Sequence, residues 1–162
     1  MGFMFYECSL LEELNLSNFK TDNVSDMRAM FNGCKSLKEL NLFNFNTHNV
    51  IDMEAMFNEC HKLKEIKGIY NFNTEKVTNM TTMFQACNEL EYLDLSNFNT
   101  SKVIDMSGMF NQCNKLKYLN LSNFSIKGET KNMFKFKKDK CKFITNNNDL
   151  LNLYKSSECI IY

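Results

Sequence analysis

The sequence predicts an α/β solenoid of about five units of 26–27 residues, each with one short parallel strand and one short helix. Three observations carry that expectation. The dipeptide Met-Phe recurs at Met4-Phe5, Met30-Phe31, Met56-Phe57, Met83-Phe84 and Met109-Phe110, in steps of 26, 26, 27 and 26 residues. Each unit changes hydrophobic period halfway along, from the spacing of a helix face to the alternation of a strand. The composition is skewed to 15 Phe, 11 Met and 7 Cys beside 5 Gly and no Pro or Trp, and ten of the Phe, nine of the Met and five of the Cys fall at repeated positions.

The elements follow in order within a unit. Met27, Met30, Phe31 and Cys34 are spaced i, i+3, i+4, i+7, which places them on one face of a short helix. Asp26, Asp52, Asn79 and Asp105 stand one residue ahead of each such face, where a side-chain oxygen can cap the first turn. Leu14-Asn15-Leu16, Leu40-Asn41-Leu42, Leu93-Asp94-Leu95 and Leu119-Asn120-Leu121 alternate apolar and polar, as a half-buried strand does. The one extra residue falls near Gly68, where a bulge would absorb it. A unit this small cannot bury both of its apolar faces alone, so neighbours stack, giving one parallel sheet roughly 20 Å across. Phe31, Phe57, Phe84 and Phe110, with Cys34, Cys60, Cys87 and Cys113, form the expected buried ladders, Cys acting there as a small apolar residue.

The array is expected over residues 1–124, with units starting at 4, 30, 56, 83 and 109, followed by a degenerate last unit and C-terminal cap over 125–162. Cys141 and Cys159 lie outside the ladder and could pair there. At the other end the first edge is open, or further units precede it, so self-association through that edge is an expectation.

Catalytic and metal readings find no support. The cysteines are 26 or more residues apart along the ladder with no chelating pair, and the Asp series lacks calcium-loop spacing. His48 and His61 have no plausible nucleophile and orienting carboxylate beside them, and no phosphate-binding loop or zinc-protease motif occurs. The expectation is therefore no enzyme, no cofactor and no metal. The 19 basic and 19 acidic side chains give zero net charge, which argues against nucleic acid as a partner. No window reaches 18 apolar residues, so no membrane span is expected, and the first residues lack the pattern of a signal peptide. Charge is nevertheless segregated: residues 127–142 hold seven Lys against Glu129 and Asp139, a local +5 that leaves −5 for the remainder. Such a basic segment could dock on an acidic wall or an anionic surface, or simply face water.

Strand residues pointing away from the core are the candidate ligand-binding set: Glu39, Asn41 and Phe43 in the second unit, Tyr92, Asp94 and Ser96 in the fourth, and Tyr118, Asn120 and Ser122 in the fifth. Phe43 stands out because the other clear units have Ser at its place.

The repeat, and LDLSNFNTSKVIDMSGMFNQC (Leu93 to Cys113) above all, resembles the BspA-type leucine-rich repeat surface proteins over residues 4 to about 124. The resemblance implies a leucine-rich-repeat solenoid used for adhesion, at the cell surface or secreted, with host, matrix or cell-surface proteins as partners. Ordinary leucine-rich repeats carry Asn where this chain has Phe19, Phe45, Phe98 or Phe124. The alternative expectation is an intracellular, cytoplasmic protein-interaction scaffold, which the missing signal peptide favours.

Overall fold

In the computed structural model, which describes residues 1–157, four of the repeated apolar–polar segments form short strands: β1 (Glu39–Asn41), β2 (Glu65–Lys67), β3 (Tyr92–Asp94) and β4 (Tyr118–Asn120). A fifth, β5 (Lys142–Ile144), and one helix, α1 (Asn148–Ser156), follow. All pairings are parallel and in repeat register, Leu40 beside Ile66 and Leu93 beside Leu119, so each central residue turns inward.

Two expectations about the sheet are corrected. There are two sheets among the described residues, β1-β2 and β3-β4-β5, where one was expected. The break falls at the extra residue: Gly68 is left-handed, with φ of 84°, and leads into a 3₁₀ turn at Ile69–Asn71 in place of a bulge within a continuous strand. Leu14–Leu16 forms no strand ladder with β1, although Leu16 is buried; Asn44 Nδ2 donates to the Leu16 carbonyl instead, at 3.0 Å. A Cβ on Gly68 would stand 2.6 Å from the backbone nitrogen of Phe43 and 2.8 Å from the Leu42 carbonyl carbon. Gly68→Ala is therefore expected to cost about 1–3 kcal/mol, read by urea denaturation. An unchanged midpoint would show that the extra residue is accommodated elsewhere.

The larger correction concerns the repeated helix. Met27–Cys34 and its counterparts are consecutive tight turns, and α1 is the one α-helix among the described residues. The N–H groups of Met30, Asn32 and Cys34 close turns onto the carbonyls of Met27, Ala29 and Phe31. The intervening N–H groups of Met27, Ala29, Phe31 and Gly33 leave the unit and donate to Asp52, Glu54, Met56 and Asn58, at 2.8–3.0 Å. The same alternation recurs at every junction, and within this segment each cross-unit bond runs from a unit to the one after it. Ala29 and Gly33, at φ of 50° and 76°, are both left-handed, a state no α-helix accommodates. Spacing explains the choice. Successive phenylalanine rings lie 5.4–5.9 Å apart along the ladder, about half the ~10 Å diameter of an α-helix, so a helix on every unit would not fit the stack. The turns leave Met27, Met30, Phe31 and Cys34 buried, as a helix would have done.

Asp26, Asp52, Asn79 and Asp105 are accordingly not helix caps. Each pairs through its backbone with the next in a parallel row, and its side-chain oxygen accepts the N–H two residues on: Arg28, Glu54, Thr81 and Ser107, at 2.7–3.0 Å.

The core between strands and turns is built from ladders. Phe5, Phe31, Phe57, Phe84, Phe110 and Phe134 stack in sequence, and Phe72, Phe98 and Phe124 form a second file. Thr21, Thr47, Thr74 and Thr100 are buried polar residues, each joining two units: the hydroxyl donates to the carbonyl of Asn46, Asn73, Asn99 or Ser125 and accepts that residue's N–H. At the far end β5 pairs with β4, and Asn147 caps α1 by accepting from Asp149 and Leu150. Tyr154 of α1 stacks on Phe143 at 4.0 Å and meets Phe134 edge-on at 5.3 Å.

Candidate functional site

The interruption at Gly68 opens a cleft of about 820 Å³ on the exposed strand face, between the two sheets. Phe43 and Tyr70 meet edge to face at 5.9 Å on one wall, with Lys64, Glu65 and Lys67 beside them. Tyr92 and Asp94 form the other wall, with Glu91, and Tyr118 stacks behind Tyr92 at 4.4 Å. The β3–β4 register sets that stack, because it places Tyr92 directly beside Tyr118. Phe43, Tyr70 and Tyr92 are 51%, 58% and 60% exposed, values far outside those of the core phenylalanines.

Of the nine residues expected on this face, the structure brings Phe43, Tyr92 and Asp94 together in the cleft, backed by Tyr118. Glu39 and Asn41 line a separate depression of about 390 Å³ with Glu12, Glu13, Lys38 and Lys67. Glu39 is paired there with Lys67 at 2.9 Å. Asn120 and Ser122 close a local turn, Ser122 N–H donating to Asn120 Oδ1 at 3.1 Å, and Ser96 donates likewise to Asp94 at 2.9 Å. None of Ser96, Asn120 and Ser122 lies on the cleft wall. Tyr70, Lys64, Glu65, Lys67 and Glu91 were not foreseen. Tyr70 was legible in principle, since Ile69-Tyr70 follows Gly68 in the one unit carrying an extra residue.

Electrostatics here are balanced. Lys67 reaches both Glu39 and Glu65, and Lys117 pairs with Glu91 at 2.6 Å, holding that carboxyl below its ordinary value. Partial burial pushes the Asp94 carboxyl up, but hydrogen bonds from Ser96, Asn120 and Tyr118 outweigh it and leave the group below its ordinary value. These exposed pairs orient side chains across units more than they stabilise the fold. The cleft thus offers aromatic faces rimmed by compensated charge.

The histidines lie elsewhere: His48 Nδ1 is 2.7 Å from Asn46 Oδ1, and His61 Nδ1 is 3.1 Å from the Ala86 carbonyl. Cys34, Cys60, Cys87 and Cys113 are fully buried free thiols, donating to the carbonyls of Phe5, Phe31, Phe57 and Phe84 at 3.0–3.2 Å. Burial pushes all four thiols up, Cys34 to about 11 and Cys113 to about 12. Cys141 is free as well, while the expected Cys141–Cys159 pairing falls outside the described residues. Among the described residues no group of three or more His, Cys, Asp or Glu could hold a metal ion, and no helix is long and apolar enough to cross a membrane.

Residues 1–68 and 60–156 each match a family described as "Mycoplasma protein of unknown function, DUF285". No curated protein matches the chain.

Proposed function

The chain belongs to the DUF285 family, and from that premise we propose that it is a BspA-like leucine-rich-repeat solenoid: a non-catalytic module that binds a protein partner through its exposed strand face. The observation behind this reading is the aromatic cleft. Most positions common to the units are consumed by structure: Phe and Met fill the core, Thr and Asn stitch neighbours together, and Asp closes turns. What varies from unit to unit is left outside, and Phe43, Tyr70 and Tyr92 gather at one place there. Large exposed aromatic rings within a polar rim suit a protein interface, where a few such residues carry most of the binding energy.

The partner in this reading is a host, matrix or cell-surface protein, and the module works at the cell surface or after secretion. The test is a binding screen of the purified chain against matrix and cell-surface proteins, repeated with Phe43→Ala combined with Tyr92→Ala. A partner whose Kd rises at least about tenfold in the double variant supports the reading. No partner, or a partner indifferent to the double variant, removes it. The second reading is an intracellular interaction scaffold, favoured by the six free thiols among the described residues. Cell fractionation separates the two, because a scaffold stays with the cytoplasm.

A further inference from the structure

The zero net charge conceals a positive end. Of the ten lysines before residue 127, five are paired across units to glutamates: Lys35 to Glu59 at 3.4 Å, and Lys38 to Glu12, Lys67 to Glu39, Lys115 to Glu89 and Lys117 to Glu91 within 2.9 Å. Lys127, Lys131, Lys135, Lys137, Lys140 and Lys142 have no acidic partner within 4.0 Å among the described residues. Two of them, Lys137 and Lys140, join Lys115 and Lys117 around a pocket of about 380 Å³ whose other charged walls are Glu91 and Asp139. Glu91 also lies on the wall of the aromatic cleft, so the basic pocket and the cleft adjoin.

We propose that this lysine-lined pocket and the basic segment around it bind an anionic polysaccharide, a sulfated glycan chain whose sulfate groups meet Lys137 and Lys140 on the pocket wall. This goes beyond the protein-binding reading and does not depend on it. Three observations select that polyanion. The pocket is concave, which admits a substituent of a polymer more readily than the flat surface of a bilayer, and the apolar residues of the basic segment itself, Met133, Phe134 and Phe136, are buried. The positive charge is entirely lysine, the chain's single arginine being Arg28 in another unit, so the bidentate guanidinium contacts that read phosphates and base edges are missing. Beside the pocket, Tyr92 is an exposed ring on the wall of the aromatic cleft, a face on which a sugar unit can stack.

The experiment measures binding of the full chain to heparin as a function of salt, beside a single-stranded oligonucleotide and phosphatidylglycerol vesicles. Variants are Lys137→Gln with Lys140→Gln, and Lys76→Gln as a remote control; all three lysines are exposed on the surface and their replacement leaves the buried core intact. Binding at 50 mM salt that weakens about tenfold in the double variant, with a salt slope shallower by about two, and that is unchanged by Lys76→Gln, is the expected result. No binding to heparin, or binding indifferent to the double variant, overturns the proposal. Equal affinity for oligonucleotide or vesicles, lost in the same variant, overturns the assignment to a glycan. Phe43→Ala leaves heparin binding intact, so failure of this site and failure of the protein-binding cleft are read separately.

Discussion

Phe84→Ala is expected to destabilise the protein by about 3–5 kcal/mol. The ring is fully buried and stacks between Phe57 at 5.4 Å and Phe110 at 5.9 Å, so truncation removes contacts on both sides at once and leaves a void that neither neighbour can fill. Its backbone remains committed, since the Phe84 carbonyl accepts both the Cys87 N–H and the Cys113 thiol and cannot shift to close the gap. A second effect accompanies the first. Each unit touches mainly its two neighbours, so a weak junction in the middle divides the stack, and the urea transition broadens as well as moving to lower denaturant. Phe5→Ala is the comparison, because Phe5 stands in the same file but is only partly buried and has its ladder partner, Phe31, on one side. It is expected to cost less than half as much, with no broadening. Equal costs at the two positions would show that the file is not the unit of stability.

Raising the pH above about 9 is expected to cost several kcal/mol through the thiol column. Cys60, Cys87 and Cys113 are held protonated by burial to well above the ordinary thiol value of about 8.5. In the unfolded chain the same thiols ionise normally, so above that value the unfolded state binds fewer protons than the folded one. The contribution is fully present below pH ~8.5 and is lost as pH rises toward the folded values. At pH 9.5 each thiol loses about 1.4 kcal/mol, and the three together about 4 kcal/mol, a large share of an ordinary domain's stability. Urea denaturation at pH 7.5 and 9.5 measures the difference. Cys87→Ala lowers stability at both values but reduces the alkaline loss by about 1.4 kcal/mol. A pH-independent midpoint would mean that the column opens to solvent without unfolding.

The repeat is what the sequence carries most plainly, and the reason is chemical. Buried rings and thiols at a fixed interval have to sit on their equivalents, so Phe31, Phe57 and Phe84 announce their own register. The inward set was legible, but not the backbone that delivers it: i, i+3, i+4, i+7 reads the same on a helix and on turns that give alternate N–H groups to the next unit. Spacing between units decides between them, and spacing is a property of the stack that no single unit encodes. The threonine column escaped notice because a buried hydroxyl needs a partner to be plausible, and the partner lies 25–26 residues away. Strand β5 was invisible for a related reason, since only its pairing with β4 makes Lys142–Ile144 a strand. In the cleft, Phe43 and Tyr92 were legible as outward aromatics, whereas Tyr70 depended on how the extra residue beside Gly68 was absorbed.

The one-way hydrogen bonds of the turn segments give the stack a head and a tail. The carbonyls of Arg28, Met30 and Asn32 accept from the unit before, and the N–H groups of Met27, Ala29, Phe31 and Gly33 donate to the unit after, so each unit carries acceptors on one side and donors on the other. Aligned peptide dipoles make the acceptor side of a unit locally negative, as at the carboxyl end of a helix. Two such sides brought together in a twofold dimer would set carbonyl against carbonyl, so homotypic pairing by this ladder is self-excluding. Only a donor row of the same spacing completes it, and the fold supplies such a row at the opposite end of each unit: like tiles with a peg on one side and a socket on the other, these units join in a single sense.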